Sequence, residues 1–240
     1  MTTIEAGTTE LARAAGLALE AYRRDHVGER VRRALQREGV PDIRSLASLI
    51  ARDQEARARF RRSVAVSVSG LFRDPAQFDL LEHTLLPQLI AGGRRISVWS
   101  AGCADGSELY SVAVLLERLE VLDRARLLGS DLLDENLALA RRGVYDGSVT
   151  FSSTLRAHIG WERRDLLRDG ATPGKWRLIL CRNLAIYLAP EPKRALHQRL
   201  AGALARGGVL LLGRSERISD PQQLGLRRAA PHAYVKEVYA

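Results

Sequence analysis

Several features that would place a chain in other classes of protein are missing from this sequence. Only two cysteines, Cys103 and Cys181, occur among its 240 residues, which excludes a disulfide framework and favours a reducing compartment. No apolar run approaches the roughly 20 residues that a membrane span requires, and the N-terminus has no signal-peptide pattern. We therefore expect a cytoplasmic protein that does not insert into membranes.

Familiar catalytic and metal-binding patterns are missing as well. No spacing of His, Cys and Asp is typical of a metal site, and no order of Ser, His and Asp is typical of a hydrolase triad. The chain also has no internal repeat and no low-complexity tract. The sequence therefore predicts no metal centre and no repeat architecture.

The charge is one-sided, with a formal net charge of +9 that arginine carries almost entirely. Such a balance suits acidic partners, which include carboxylate-rich protein surfaces, nucleic acid and anionic membranes. However, the arginines are interspersed with acids, and no basic surface with aromatic residues for stacking on single strands stands out. The pattern argues against nucleic acid and is also compatible with a solvated arginine-rich surface.

The sequence predicts two structural parts. Amphipathic helical patterns fill residues 1–92, and from residue 93 short apolar strands alternate with helices, as in an open parallel α/β sheet. We predict an N-terminal helical domain over residues 1–70, a connecting segment and helix over 71–92, and a ligand-binding α/β domain over 93–240. By itself the helical part needs no role beyond packing.

The most informative stretch begins with an apolar strand at Ile96 and continues into a small-residue turn that includes Ala101, Gly102 and Cys103. A helical pattern follows from Glu108. In open α/β sheets, this arrangement of strand, glycine turn and helix forms a nucleotide site, because small residues let the backbone approach the ligand. The start of the helix would also present free N–H groups.

The turn does not match the two common phosphate-binding motifs. It has glycines only at Gly102 and Gly106, and no Gly-Lys-Ser/Thr sequence follows. Asp105 and Glu108 would repel a phosphate and attract a cation instead. S-adenosylmethionine carries an ammonium, a sulfonium and no phosphate, so it is one ligand that fits. A tight turn with solvent-exposed acids and no ligand fits these residues equally well.

Polar side chains follow the later predicted strands. A strand over 127–131 ends in Asp131, 25 residues after Gly106, where parallel nucleotide sites place an acid that binds the ribose hydroxyls. Asp131 could instead cap the next helix. Strands over 162–167 and 176–183 are followed or ended by Asp165, Asn183 and Tyr187. We expect all of these side chains at the carboxyl edge of the sheet.

Five motifs in order resemble the chemotaxis-receptor glutamate methyltransferase family (CheR), and the likeness runs over nearly the whole chain. They are L-F-R-D-P at Leu71 to Pro75, W-S-A-G-C-A-D-G-S-E-L-Y-S at Trp99 to Ser111, G-S-D at Gly129 to Asp131, C-R-N-L-A-I-Y-L at Cys181 to Leu188, and G-R-S-E at Gly213 to Glu216. The resemblance implies a class I methyltransferase (Rossmann-like) sheet with an N-terminal all-helical domain.

The resemblance also implies the chemistry. The family uses S-adenosylmethionine, releases S-adenosylhomocysteine, and methylates glutamate side chains of receptors. By position, Glu108 would bind the amino group of the cofactor and Asp131 its ribose, while Arg73 and Tyr187 would be catalytic, facing the methyl group and the acceptor. The full implied cofactor set is Ser69, Arg73, Ala101, Gly102, Cys103, Glu108, Asp131, Asp165, Leu166, Asn183 and Tyr187, with Asp165 and Leu166 at the adenine.

The sequence departs from the family pattern at Ser107, which replaces a glutamate, and at Leu71 and Leu109, which replace phenylalanine and proline. The 19 residues from 146 to 164 are too few for the small β-subdomain that docks receptor tails in many members. Docking to a receptor tail is therefore not expected, and we expect an acidic protein or a small carboxylate as the acceptor. Two alternatives stay open: a small-molecule methyltransferase or other user of the sulfonium, and a non-catalytic cofactor-binding regulatory module.

Overall fold

A computed structural model describes residues 3–65, 69–93, 95–145 and 149–237. The chain divides into two units, of which the first comprises Met1–Ser67 with Tyr187–Lys193 and the second comprises Val68–Ile186 with Arg194–Ala240. The domain boundary predicted at residue 70 follows residues 66–68, which lie outside the described residues. The predicted domain limits stay predictions.

The first unit is helical. Asp42 caps one of its helices by accepting the backbone N–H of Ser45 at 2.8 Å, and Gly39 ends the preceding helix in the left-handed conformation at φ 65°. Leu11, Leu46 and Phe60 are fully buried in this unit. Its helices are α1 (Thr3–Ala15), α2 (Arg24–Glu38), α3 (Ile43–Arg52) and α4 (Gln54–Val64).

The second unit contains a sheet and most of the remaining helices. A π-helical turn at Leu81–Leu85 joins two short helices, and Leu86 N–H donates to Leu81 O, five residues earlier. The π turn precedes Pro87, which has no N–H to continue an α-helical ladder. The helices are α5 (Pro75–Leu80), α6 (Leu86–Ile90), α7 (Ser107–Arg118), α8 (Asp134–Arg142), α9 (Ser153–Ala157) and α10 (Pro190–Ala203).

Seven of the described strands form one sheet in the order β5-β2-β1-β6-β7-β9-β8. The four pairings from β5 to β7 are parallel, and the pairings of β9 with β7 and with β8 are antiparallel. A separate antiparallel pair joins β3 to β4. The strands are β1 (Ile96–Ala101), β2 (Ala125–Asp131), β3 (Val144–Tyr145), β4 (Val149–Thr150), β5 (Ile159–Arg163), β6 (Trp176–Cys181), β7 (Leu204–Leu212), β8 (Leu226–Ala230) and β9 (Ala233–Lys236).

The register brings the carboxyl ends of the parallel strands to one edge. Ala101 pairs with Ser130, and Cys181 pairs with Leu212. The central strands are buried on both faces, as their continuous apolar runs predict. The segments that follow these strands therefore share one edge of the sheet, where open α/β sheets bind their ligands.

The strands predicted over 162–167 and 176–183 have other bounds in the structure, and the second ends at Cys181. The strand expected over 162–167 is β5, Ile159–Arg163, so Asp165 lies beyond its end, where its N–H is bound by the Asp169 carboxylate at 2.8 Å. The last helix, α10, ends at Ala203, and Gly207 and Gly208 both lie inside β7. A Cβ at Gly208 would lie 2.8 Å from Trp176 O, so close strand pairing explains that glycine.

The short region between residues 145 and 164 holds no separate subdomain in its described part. Residues 146–148 lie outside the described residues. The rest forms β4, α9 and β5, and β5 is an edge strand of the main sheet. Among the described residues, no helix is both long and apolar enough to span a bilayer.

Candidate functional site

The backbone N–H groups of the glycine turn after β1 form hydrogen bonds within the protein. Gly102 and Cys103 both donate to Ser130 O at 2.9 Å, and Ala104 donates to Asp131 Oδ2 at 2.9 Å. Gly102 and Ala104 have left-handed φ values of 79° and 49°, which lets successive N–H groups point toward the end of β2. The turn therefore fastens β1 to β2 and is not a phosphate cradle.

The start of α7 is also capped from within. Asp105 Oδ1 accepts the N–H of Ser107 at 3.0 Å, and Asp105 Oδ2 accepts the hydroxyl of Ser69 at 2.6 Å. The N–H of Ser107 is thus not free, and Asp105 bonds to two groups of the protein at this helix start. Asp105 therefore orders the turn that leads into α7.

Asp131 is buried and held in place by hydrogen bonds. Its Oδ1 accepts the N–H of Leu133 at 2.9 Å and the side-chain amide of Asn136 at 3.0 Å, in addition to the Ala104 bond at Oδ2. Burial raises the pKa of Asp131, and these donors act in the opposite direction. Asp131 therefore orders the entry to α8 and is bonded to the glycine turn, and its contact with a ribose stays a prediction.

Glu108 lies in the first turn of α7 and is fixed from two sides. Its Oε1 accepts the hydroxyl of Ser100, on β1, at 2.6 Å, and its Oε2 accepts Arg182 Nη1 at 3.0 Å. The Glu108 side chain keeps 17% of its surface exposed. It is therefore an ordered and partly accessible carboxylate, four residues after Ala104, whose N–H binds Asp131.

Arg182 is the side chain that the sequence reading missed. It is 3% exposed, although it follows β6 directly and lies within the C-R-N motif. Its guanidinium also donates to Arg73 O at 2.7 Å, to Asp74 Oδ2 at 2.9 Å and to Gln77 Oε1 at 2.8 Å. An arginine inside an otherwise apolar strand end was the available signal, because buried arginine needs several acceptors.

Arg73 lies in a turn of unusual backbone conformation. Its neighbours Phe72 and Asp74 have φ values of 52° and 62°, which few residues other than glycine adopt. Ser111 Oγ accepts the N–H of Phe72 at 2.9 Å and so ties the turn to α7. The structure thus places Arg73 in a turn that is bonded to Arg182 and α7, in the same unit as Glu108.

Glu216 was also missed, although it ends the G-R-S-E motif. It is 1% exposed, and its carboxylate accepts three backbone N–H groups. These come from Asn183 at 2.7 Å, Gly213 at 2.8 Å and Ile186 at 3.2 Å. Glu216 therefore fixes the segment that carries Asn183, whose φ is 62°.

Leu166 and Leu184 flank the glycine turn. A Cβ at Gly102 would lie 2.6 Å from Leu184 Cδ1 and 4.0 Å from Leu166 Cδ1, so the structure brings both leucines to this turn. Asp165 instead orders its own loop, because its Oδ1 accepts the N–H of Leu167 at 2.9 Å. Leu166 thus fits an apolar contact at this site, whereas Asp165 has an evident structural role.

A tryptophan fills the space behind the turn. A Cβ at Gly106 would lie 2.5 Å from Trp161, and a Cβ at Gly129 would clash with the same ring. Cys103 Sγ lies close to Gly129 as well, and burial raises the pKa of the Cys103 thiol. The packing of Trp161 therefore requires glycine at both positions, and the buried Cys103 thiol is protonated and packs against Gly129.

Tyr187 groups with the first unit. Its carbonyl accepts the N–H of Arg23 at 2.9 Å, and Leu188 forms an antiparallel bridge with Tyr22. The Tyr187 ring lies 4.8 Å from the ring of His26, between centroids. Its catalytic role stays a prediction, as do the roles of the other site residues. Within the described residues, no group of His, Cys, Asp and Glu could hold a metal ion.

Comparison with known proteins decides the family. The chain matches the family described as CheR methyltransferase, SAM binding domain, over residues 67–150 and 146–231. The chain belongs to this CheR methyltransferase family. It is 28% identical over 244 residues to chemotaxis protein methyltransferase 1 of Pseudomonas aeruginosa, covering 88% of each chain. It is 29% identical over 242 residues to the chemotaxis protein methyltransferase of Listeria innocua, covering 92% of each.

A solved structure gives a weaker likeness. The TehB-like SAM-dependent methyltransferase from Corynebacterium glutamicum is 16% identical, with a TM-score of 0.44, covering 76% of this chain and 94% of that one. This CheR-family chain is an S-adenosylmethionine-dependent methyltransferase with a class I, Rossmann-like sheet. The polar groups at this sheet edge fit the cofactor. The N–H groups of the turn are bonded within the protein, which disfavours a phosphate, and the two ordered carboxylates suit a ligand with an ammonium and a ribose.

Proposed function

We propose that this protein methylates a glutamate side chain on an acidic protein partner. The observation that carries the proposal is that Glu108 and Asp131 lie at one sheet edge. Asp131 bonds to Ala104 N–H at 2.9 Å, within the same turn that leads to Glu108. This shared edge supports a site in which one acid attracts a cation and the other accepts hydrogen bonds from a ribose.

The side chains divide into groups by their proposed contact. Glu108 binds the ammonium of the cofactor, and Asp131 accepts hydrogen bonds from the ribose hydroxyls. Leu166 packs on the adenine, with Asp165 ordering the loop that carries it. The backbone at Ala101, Gly102 and Cys103 allows close approach of the ligand. Ser69, Arg73, Asn183 and Tyr187 complete the proposed set.

Methyl transfer to a carboxylate requires the protein to align the two reactants and does not require a strong base. When bound, the cofactor supplies an electrophilic methyl on a sulfonium. A glutamate carboxylate is already ionised at neutral pH, so no general base is needed. Arg73 orients that carboxylate through paired hydrogen bonds, and Tyr187 hydrogen-bonds or packs at the reacting centre. Catalysis of the in-line displacement comes from alignment and from exclusion of water.

The partner class follows from charge and from relatives. The net charge of +9 favours an acidic acceptor surface. Relatives named chemotaxis protein methyltransferases favour a chemotaxis protein as that acceptor. The proposal therefore predicts base-labile methyl esters on an acidic signalling protein.

The test is methyl transfer from labelled S-adenosylmethionine to three acceptors offered in parallel. These are membranes carrying chemotaxis receptors, free small carboxylates, and small amines. Label that base releases as methanol from receptor protein alone supports the proposal. Arg73→Ala should abolish transfer while leaving product binding measurable, and Arg227→Ala, an exposed change on β8, should leave transfer unchanged. Full turnover by Arg73→Ala with normal acceptor affinity would disprove the role of Arg73.

One observation favours a second function, methylation of a small molecule. The described residues between 149 and 163 form only β4, α9 and β5, so this region holds no docking subdomain. Label on small carboxylates or amines, with none on receptor protein, would establish this alternative. Binding of S-adenosylhomocysteine without transfer to any acceptor would instead indicate a regulatory module.

A further inference from the structure

We propose that Arg182 is a positioning residue that fixes Glu108 and the turn carrying Arg73 to one another. Cofactor binding and acceptor orientation then depend on one side chain. The inference rests on the proposed function, because it takes Glu108 as the contact to the cofactor and Arg73 as the contact to the acceptor.

The geometry places Arg182 between these two groups. Nη1 donates to Glu108, and Nη2 donates both to Arg73 O and to Asp74. Nε donates to Gln77, whose own amide donates to Leu212 O at 2.8 Å. The guanidinium also lies 5.3 Å from the centroid of the Phe78 ring. All three nitrogens therefore have a fixed partner.

This arrangement needs the shape of an arginine. A guanidinium is planar and presents its donors as a rigid fork, so one group can bond in several directions at once. The ammonium of a lysine carries the same charge but cannot reach acceptors on α7, on the Arg73 turn and on α5 together. Substitution by lysine therefore removes the geometry and keeps the charge.

The turn itself needs external support. Left-handed φ values at Phe72 and Asp74 cost free energy and persist only where the surroundings impose them. Two contacts do so on either side of the Arg73 side chain: Ser111 Oγ holds Phe72 N–H, and Arg182 holds Arg73 O. Without the second contact, the direction of the Arg73 side chain is less well defined.

Glu108 and Asp74 are coupled electrostatically, because both pair with Arg182. One guanidinium faces two carboxylates, Glu108 and Asp74, so a net negative charge remains for the cofactor ammonium. Arg214 reaches Asp74 at 3.7 Å, but its side chain is 72% exposed and is screened by water. Neutralising Asp74 lets Arg182 offset the whole charge of Glu108, which weakens the attraction for an ammonium.

The first experiment compares Arg182→Lys with Arg177→Lys, the same change on β6. Calorimetry should show S-adenosylhomocysteine binding about tenfold more weakly to Arg182→Lys, as expected for a lost charged hydrogen bond. The acceptor KM at saturating cofactor should also rise, by about threefold or more. Arg177, which bonds Leu89 O, should affect thermal stability and leave both constants within about twofold.

The second experiment uses Asp74→Asn, which preserves the backbone because Asn tolerates a left-handed φ. Asp74 is assigned no cofactor contact, and comparing its effect in the two Arg182 backgrounds isolates the part that passes through Arg182. We expect affinity to fall by roughly threefold in the natural background and by a smaller factor in the Arg182→Lys background.

Equal effects of Asp74→Asn in both backgrounds, or none in either, would overturn the inference. So would unchanged binding and KM in folded Arg182→Lys protein. Should Arg182→Lys fail to fold, Asp74→Asn alone still decides the point by its effect on product affinity. Product binding needs no acceptor, so a chain that methylates no glutamate would disprove the proposed function and leave this test intact.

Discussion

Glu216 accepts the backbone N–H of Asn183 at 2.7 Å, across 33 positions of sequence. The same carboxylate accepts the N–H of Gly213, which directly follows β7. One buried acid therefore joins the segments that leave β6 and β7, and the conformation of Asn183 depends on it.

We predict that Glu216→Gln destabilises the fold. The amide replaces one acceptor oxygen by a donor that faces backbone N–H groups, which costs about 1–3 kcal/mol. Thermal unfolding should show the melting temperature falling by several degrees. Glu191→Gln, an exposed change on α10, should leave it unchanged. Equal melting temperatures for Glu216→Gln and the natural chain would contradict this account.

Gly213→Ala should disturb the same junction from the other side. A new Cβ would lie 2.8 Å from Glu216 Oε2 and 2.9 Å from Asn183 N, where little can move. We expect a loss of about 1–3 kcal/mol in the free energy of unfolding, measured by denaturant titration. Gly28→Ala is the control, because a Cβ added at Gly28 within α2 would have no atom within 4 Å. We expect it to raise the free energy of unfolding by about 0.5–1 kcal/mol. A neutral Gly213→Ala would show that the junction is looser than described.

Asp131→Asn should weaken cofactor binding and should also lower stability, because the new amide faces the backbone N–H groups that Asp131 accepts. An amide cannot accept hydrogen bonds at both of its terminal atoms, whereas two ribose hydroxyls must both donate. Calorimetry should show the affinity for S-adenosylhomocysteine falling about tenfold or more. Asp134→Asn removes an exposed acid from the start of α8 and serves as the control. Unchanged affinity in folded Asp131→Asn would assign Asp131 to capping alone.

The pairing of Glu38 with Arg59 should make stability depend on pH. Arg59 Nη2 and Nε donate to Glu38 at 2.8 and 3.2 Å, and together with a smaller effect from Arg37 they lower the pKa of Glu38 from 4.5 to about 2. A lowered pKa stabilises the fold above the ordinary pKa, and that contribution disappears as pH falls toward 2. Because water partly screens the pair, we expect about 1 kcal/mol.

Urea unfolding near neutral pH and in acid tests this dependence. Glu38→Gln should be less stable than the natural chain near pH 7, and the difference should shrink between about pH 5 and pH 3. Glu55, whose side chain is 90% exposed, also contacts Arg59, so Glu55→Gln is a matched control that should show little change. A difference that stays constant with pH would exclude the ion pair as its cause.

Local sequence signals predicted much of this architecture. Apolar runs located β1, β2 and β6, and amphipathic patterns located the N-terminal helices, because strands and helices depend on near neighbours. Arg182 and Glu216 escaped prediction because their bonds join residues far apart in sequence, at 74 positions for Glu108 and 33 for Asn183. The bond between Asp105 and Ser69 was not predicted either, because the two residues lie 36 positions apart in sequence.

The path of the chain through its two units has a practical consequence. Residues 187–193 belong with the N-terminal helices, yet the chain on both sides of them belongs with the sheet. A single cut in the chain therefore cannot separate the two units, because residues 187–193 of the first unit would stay covalently attached to the second. A truncated fragment beginning near residue 68 would carry Leu188 and Tyr187 without Tyr22 and Arg23, so engineers should graft or swap this enzyme whole.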